Sequence, residues 1–141
     1  MSISVNKCCI LNVGRQECDV NVSINGAVIP VVDSTRDLGV LVTKDLSPSI
    51  HVNDIVSRAH KRAGAILRTF VSRDVNLLMH AFITYVRPIV KYNSVIWSSS
   101  TVRDIEAVKQ VQRRFTKCLP ALRNMSYDKH LKYLNVPSLE L

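Results

Sequence analysis

The sequence lacks an apolar run near the ~18–20 residues needed to cross a bilayer, so no membrane-spanning helix and no membrane partner are expected. Glycine is scarce, four in 141 residues, and nowhere clustered into a loop that cradles a phosphate. There is no GxSxG elbow, no HExxH and no adjacent Asp-Asp pair for a two-metal site. Catalysis needs a complete constellation, so the chain is expected to be no enzyme on its own. The amino end, MSISVNKCCIL, has no basic stretch followed by an apolar core. No signal peptide is therefore expected, and the chain reads as intracellular, in the cytoplasm and nucleus. Internal repeats and low-complexity tracts are also missing.

Cysteine is present but unpatterned. Cys8 and Cys9 are adjacent, Cys18 and Cys118 stand alone, and none forms a CxxC pair or sits at a zinc-ligand interval from a His. They read as reduced packing thiols; were residues 8 and 9 in a strand, they would point to opposite faces. The four histidines, His51, His60, His80 and His130, are scattered over helical segments and read as surface or boundary residues. No metal site is expected.

What is there is a foldable composition, 47% hydrophobic and 21% charged, with a net charge of +8. The charge is uneven. Residues 1–46 carry four Lys/Arg against five Asp/Glu, whereas residues 47–141 carry fifteen against six. Such asymmetry points the second part toward a polyanion, nucleic acid before membrane.

The periodicity changes at the same place. Residues 7–13 and 19–24 read as strands, the latter alternating through Val20, Val22 and Ile24. Asn25-Gly26 is a type I′ hairpin signal, and residues 28–32 return with Pro30 limiting them to an edge or to the strand's end. Residues 33–37 read as a polar turn and 38–42 as a further strand, giving a three- or four-stranded antiparallel piece. From Ser47-Pro48, an N-cap and first-turn pair, the spacing becomes helical. Val52, Ile55, Val56, Ala59, Ala63, Ile66, Leu67 and Phe70 share one arc, with Gly64 a candidate close crossing. A second helix starts at Asp74, places Val75, Leu78, Met79, Phe82 and Val86 inward and ends or kinks at Pro88. Residues 89–97 continue as a buried, bent segment, and residues 98–100 form a break. Thr101, with Asp104 three residues on, opens a third helix whose core stripe is Ile105, Val108, Val111, Phe115 and Leu119. A short helix covers 126–135. The fold class is α+β: a short antiparallel meander or hairpin over 1–46, then a helical bundle over 47–141.

The candidate chemistry lies in the helices' outer faces. Arg58, Lys61, Arg62 and Arg68 oppose the first helix's apolar arc. Lys109, Arg113 and Lys117 recur every four residues on the third, beside Arg103 and Arg114. Packed side by side, with no interleaved Glu, these faces would present cations spaced for phosphates, Arg favouring bidentate contact. Such contacts position a duplex without reading its sequence.

Taken in order, the motifs resemble those of the LINE-type (non-LTR, jockey-like) retrotransposon reverse transcriptases. They are Val5-Asn6-Lys7-Cys8, Ile24-Asn25-Gly26 and Ser34-Thr35-Arg36-Asp37-Leu38-Gly39-Val40. His51, Leu67-Arg68-Thr69-Phe70, and Tyr85-Val86-Arg87-Pro88 with Tyr92 and Trp97 follow. Ile105-Glu106, Val111-Gln112-Arg113-Arg114-Phe115-Thr116-Lys117, Ser126-Tyr127 and Ser138-Leu139-Glu140 complete the series, which spans essentially the whole chain.

The resemblance implies the end of a palm, with a primer-grip-like hairpin, followed by a helical thumb. It places Arg36 near a primer terminus and Lys7 near an incoming nucleotide, where a Lys can give a proton to leaving pyrophosphate. It implies that the thumb helices hold the minor-groove side of an RNA–DNA duplex or primer-template; charge geometry puts Arg58, Lys61, Arg62, Arg68, Lys109, Arg113, Arg114 and Lys117 at that contact. The family's catalytic aspartates are missing, so Mg²⁺ is expected only for a full-length polymerase whose palm and fingers would be partners. Val90-Lys91 stands where the family often has Leu-Glu, and Ser98-Ser99 where it tends to have a Pro. Three readings stay open: a reverse-transcriptase fragment, a stand-alone nucleic-acid-binding module, and a decayed element fragment without activity.

Overall fold

Positive backbone φ marks where the amino-terminal part of the chain turns back on itself. The computed structural model describes residues 3–14, 21–97 and 101–139, in two compact units, Met1–His51 and Val52–Leu141. In the first, Asn25 and Gly26 have φ of 51° and 78°, as a type I′ turn requires. They join β2 (Ser23–Ile24) to β3 (Ala27–Val28) in an antiparallel pair. Leu38 and Gly39, at 45° and 83°, make a second turn of this kind. It joins β5 (Ser34–Asp37) to β6 (Val40–Thr43) in register from Ser34↔Thr43 to Asp37↔Val40.

These pairings correct the expected sheet. Residues 33–37 look like a turn because they are polar, yet 34–37 form a strand on which only Thr35 is half-buried. The real turn lies at Leu38-Gly39, where glycine tolerates the left-handed backbone. The run expected over 7–13 is a single 3-10 turn, Val5–Lys7, followed by β1 (Ile10–Leu11). β1 pairs in parallel with β4 (Val31–Val32), not antiparallel. Pro30 carries no N–H and instead offers its carbonyl to the Ile10 N–H at 2.9 Å. The strands among the described residues thus form three two-stranded ladders rather than one meander. Part of the strand expected over 19–24, and Cys18, lie outside the described residues.

The expected helix start also moves. α1 spans Ser49–Thr69, and Ser47 serves the turn before it. Its N–H donates to Asp45 Oδ1 at 3.3 Å, and the Thr43 hydroxyl also donates to Asp45 Oδ1. These bonds, the Thr43 one first, hold the Asp45 carboxyl below its usual value. His51 in the first turn of α1 is 1% exposed, and its Nδ1 accepts the Leu41 N–H at 3.1 Å. That bond assigns the first turn of α1 to the hairpin, so the first unit ends at His51 where the sequence reading divided the chain at 46.

In the second unit the apolar arc of α1 supplies Val52, Ile55, Ala59, Ala63 and Ile66 to the core, with Val56, Leu67 and Phe70 half-buried. α2 (Val75–Tyr85) is capped by Asp74, whose Oδ1 accepts the Asn76 N–H at 2.9 Å. Pro88 sits in the first turn of α3 (Arg87–Lys91), where its missing donor costs nothing. α4 (Ser94–Trp97) buries Trp97, and the indole Nε1 donates to the Tyr92 carbonyl at 2.7 Å. α5 (Val102–Lys117) is capped by the Thr101 hydroxyl, which accepts the Asp104 N–H. Phe115 of α5 packs on Phe82 of α2 with centroids 4.6 Å apart. α6 (Tyr127–Leu134) ends in a Schellman motif. Asn135 takes φ 49°, its N–H reaches the Lys132 carbonyl, and the Val136 N–H reaches that of Leu131.

Two histidines read as surface groups are core. His130 is 3% exposed; its Nε2 donates to the Leu122 carbonyl at 2.6 Å, and its Nδ1 meets the Thr116 hydroxyl at 3.1 Å. The thiols move the other way: Cys9 and Cys118 are exposed and Cys8 half-buried, so they do not pack the core as expected. Gln112, fully buried, organises the remaining polar groups. Its Oε1 accepts the Leu139 N–H at 2.7 Å and the Tyr127 hydroxyl at 3.2 Å, and its Nε2 donates to the Pro137 carbonyl at 3.3 Å. Leu139 is thereby held fully buried.

Two outcomes follow from these contacts. Gln112→Leu strands the Leu139 N–H and the Pro137 carbonyl and should lower unfolding free energy by about 2–4 kcal/mol. Hydrogen exchange should find the Leu139 amide unprotected first. Gly64, far from marking a crossing, would place a Cβ 3.4 Å from the Arg68 guanidinium and against no neighbouring helix. Gly64→Ala should therefore stabilise the chain by about 0.5–1 kcal/mol, read as a raised urea midpoint.

Candidate nucleic-acid interface

An amphipathic helix must turn its charged arc outward, and α1 does so with Arg58, Lys61, Arg62 and Arg68 all exposed. Their surroundings differ. Arg58 is held by Asp54, one turn earlier, at 3.0 Å. Arg68 folds back over Gly64. Lys61 and Arg62 make no ion pair among the described residues. Arg58, Lys61 and Arg62 line a shallow open groove of about 430 Å³ whose floor is Ala65 and, from α3, Ile89.

The α5 face is less open than its sequence implies. Arg113 is ion-paired with Glu106 and lies 4.9 Å over the ring of Tyr127, which Gln112 holds by its hydroxyl. The expectation of cations without interleaved Glu is corrected here, because Glu106 stands two turns before Arg113 on the same face. Lys109 is half-buried. Arg114 and Lys117 are exposed in the last turn, where positive charge also complements the helix dipole.

Burial first, and then the positive charge of Arg114, hold the His60 ring below its ordinary pKa. Lys7 and Arg36 belong to the first unit. Lys7 is exposed at the end of the 3-10 turn, and Arg36 Nη1 donates to the Gly39 carbonyl at 3.3 Å, bracing the hairpin turn.

Sequence reading overlooked the carboxylates and aromatics that govern these cations. Asp54 four residues before Arg58 and Glu106 seven before Arg113 were both legible as helical spacings. Tyr127 over Arg113 was not, since it depends on how α6 packs. Among the described residues no three His, Cys, Asp or Glu side chains gather as a metal site. No described helix is long and apolar enough to cross a membrane.

The His60 environment predicts a pH dependence. The folded chain favours the neutral ring, so below the ordinary value of 6.5 the unfolded chain takes up the proton first. Stability should fall as pH drops from 6.5 toward the folded value and then level off. His60→Gln should show a smaller loss of urea midpoint between neutral and acidic buffer than the parent chain. Comparison of the chain with protein-family models, with curated proteins and with solved structures finds no match.

Proposed function

We propose that this chain is a nucleic-acid-binding fragment of a non-LTR retrotransposon reverse transcriptase, inactive alone, whose helical unit grips an RNA–DNA hybrid or primer-template. The observation that carries the binding reading is the outward basic arcs of α1 and α5, where Lys61, Arg62, Arg114 and Lys117 stand exposed. Clustered cations of this kind gain affinity for a polyanion by releasing condensed counterions. The motif series supplies the family part of the reading. No pair of adjacent aspartates for two-metal phosphoryl transfer occurs in the 141 residues. In this reading Arg113 and Arg58 support the surface from within ion pairs, and Lys7 and Arg36 belong to the palm-derived unit.

The test is fluorescence anisotropy with a labelled RNA–DNA hybrid over rising salt. Binding should weaken steeply with log salt, and Arg114→Ala with Lys117→Ala should reduce the slope by about 1 per residue. An unchanged slope removes that face from the interface. Stronger binding to the hybrid than to duplex DNA favours the reverse-transcriptase reading over a general nucleic-acid module.

A further inference from the structure

We propose that Arg113 is itself a phosphate contact of the bound hybrid, positioned by the Tyr127 ring and covered by the Glu106 carboxylate until a phosphate displaces it. This deepens the nucleic-acid-binding reading and rests on it.

Glu106 and Arg113 stand seven residues apart on α5, two turns of helix, so both project from one face. Arg113 Nη1 donates to Glu106 Oε1, and the two side chains are 43% and 41% exposed. A pair this open to water contributes little stability, because solvent screens it and both long side chains lose rotamer freedom to hold it. Glu106 can therefore leave without loss to the fold. Asp104, the other acid of α5, is buried, which makes Glu106 the one carboxylate on the helix's accessible side.

Tyr127 secures the guanidinium by a separate contact, with Arg113 Cζ 4.9 Å from the ring centroid. The ring's own position owes nothing to Glu106. Its hydroxyl donates to Gln112 Oε1 at 3.2 Å and lies 3.4 Å from Ser138 Oγ, and its plane meets the His130 ring edge-on. Arg113 thus keeps its place when the carboxylate swings away. A ring covers the face of a guanidinium and leaves its N–H edge for a bidentate anion. Among the described residues the only hydrogen bond at that edge is the one to Glu106. The carboxylate stands in for a phosphate, and a strand displaces it because binding a polyanion also releases condensed counterions.

The experiment is anisotropy of the full chain with the labelled RNA–DNA hybrid over rising salt, arranged as a double-mutant cycle. Glu106→Gln should tighten binding on the order of two- to fivefold, since no pair has to be broken. Arg113→Gln should weaken binding and lower the salt slope by about 1. In that background Glu106→Gln should add nothing. The gain from Glu106→Gln should persist beside Tyr127→Phe and vanish beside Tyr127→Leu, because the ring and not its hydroxyl holds the guanidinium. Circular dichroism shows which variants fold; should Tyr127→Leu not fold, the exposed Glu106 and Arg113 changes decide. An equal gain with and without Arg113 is a general charge effect and overturns the proposal. So does a loss on Glu106→Gln, which would make the carboxylate a support, or no change at all. In each of these cases the parent chain still binds, and the nucleic-acid reading stands. Failure of both the parent and the Glu106→Gln variant to bind the hybrid overturns that reading and the proposal with it.

Discussion

The second unit depends on one buried carboxamide. Gln112 has no exposed surface, and its side chain meets the backbone at Pro137 and Leu139 as well as the Tyr127 hydroxyl. A primary amide buried without partners would be costly; with both ends engaged it ties three separate stretches of chain to one point. The residue after it, Arg113, takes its place over the ring that Gln112 holds. Thr116, one turn on, links the same helix to His130 of α6. The inner face of α5 therefore determines where the cations of its outer face stand.

Electrostatics divides the basic helices into engaged and open charge. Exposed ion pairs contribute little stability, but they determine which guanidinium is ready to meet a new anion. On α5 Glu106 takes Arg113, and on α1 Asp54 takes Arg58. Lys61 and Arg62 face a groove without an acid of its own. An incoming phosphate there displaces water rather than a carboxylate.

The motifs that carry the family resemblance are, in this fold, mostly structural. Gln112, Phe115, Thr116, Tyr127 and Leu139 are drawn from stretches far apart in sequence and gather around α5 as packing and hydrogen-bond partners. His51, another motif position, closes the hairpin of the first unit. Residues that build a polar network are constrained more tightly than surface cations, because each must satisfy its neighbours. A motif series of this kind reports how a chain folds before it reports what the chain binds.

Local rules were enough for one hairpin turn, two helix caps and the apolar faces of the helices. Asn25-Gly26, the Asp74 and Thr101 caps, the interruption of the second helix ahead of Pro88 and the apolar arcs of α1, α2 and α5 were all legible, because each depends on residues within a turn or two. The charge asymmetry was legible for the same reason. The parallel pairing of β1 with β4 was not, nor was the strand hidden in the polar residues 34–37, because pairing depends on partners distant in sequence. Burial of His51 and His130 escaped notice because a polar side chain enters a core only where tertiary structure supplies its partners. The sequence by itself determined how many cations the helices carry and on which arc. Only the tertiary structure decided which of them remain open, because that depends on the carboxylate or ring that packing brings beside each one.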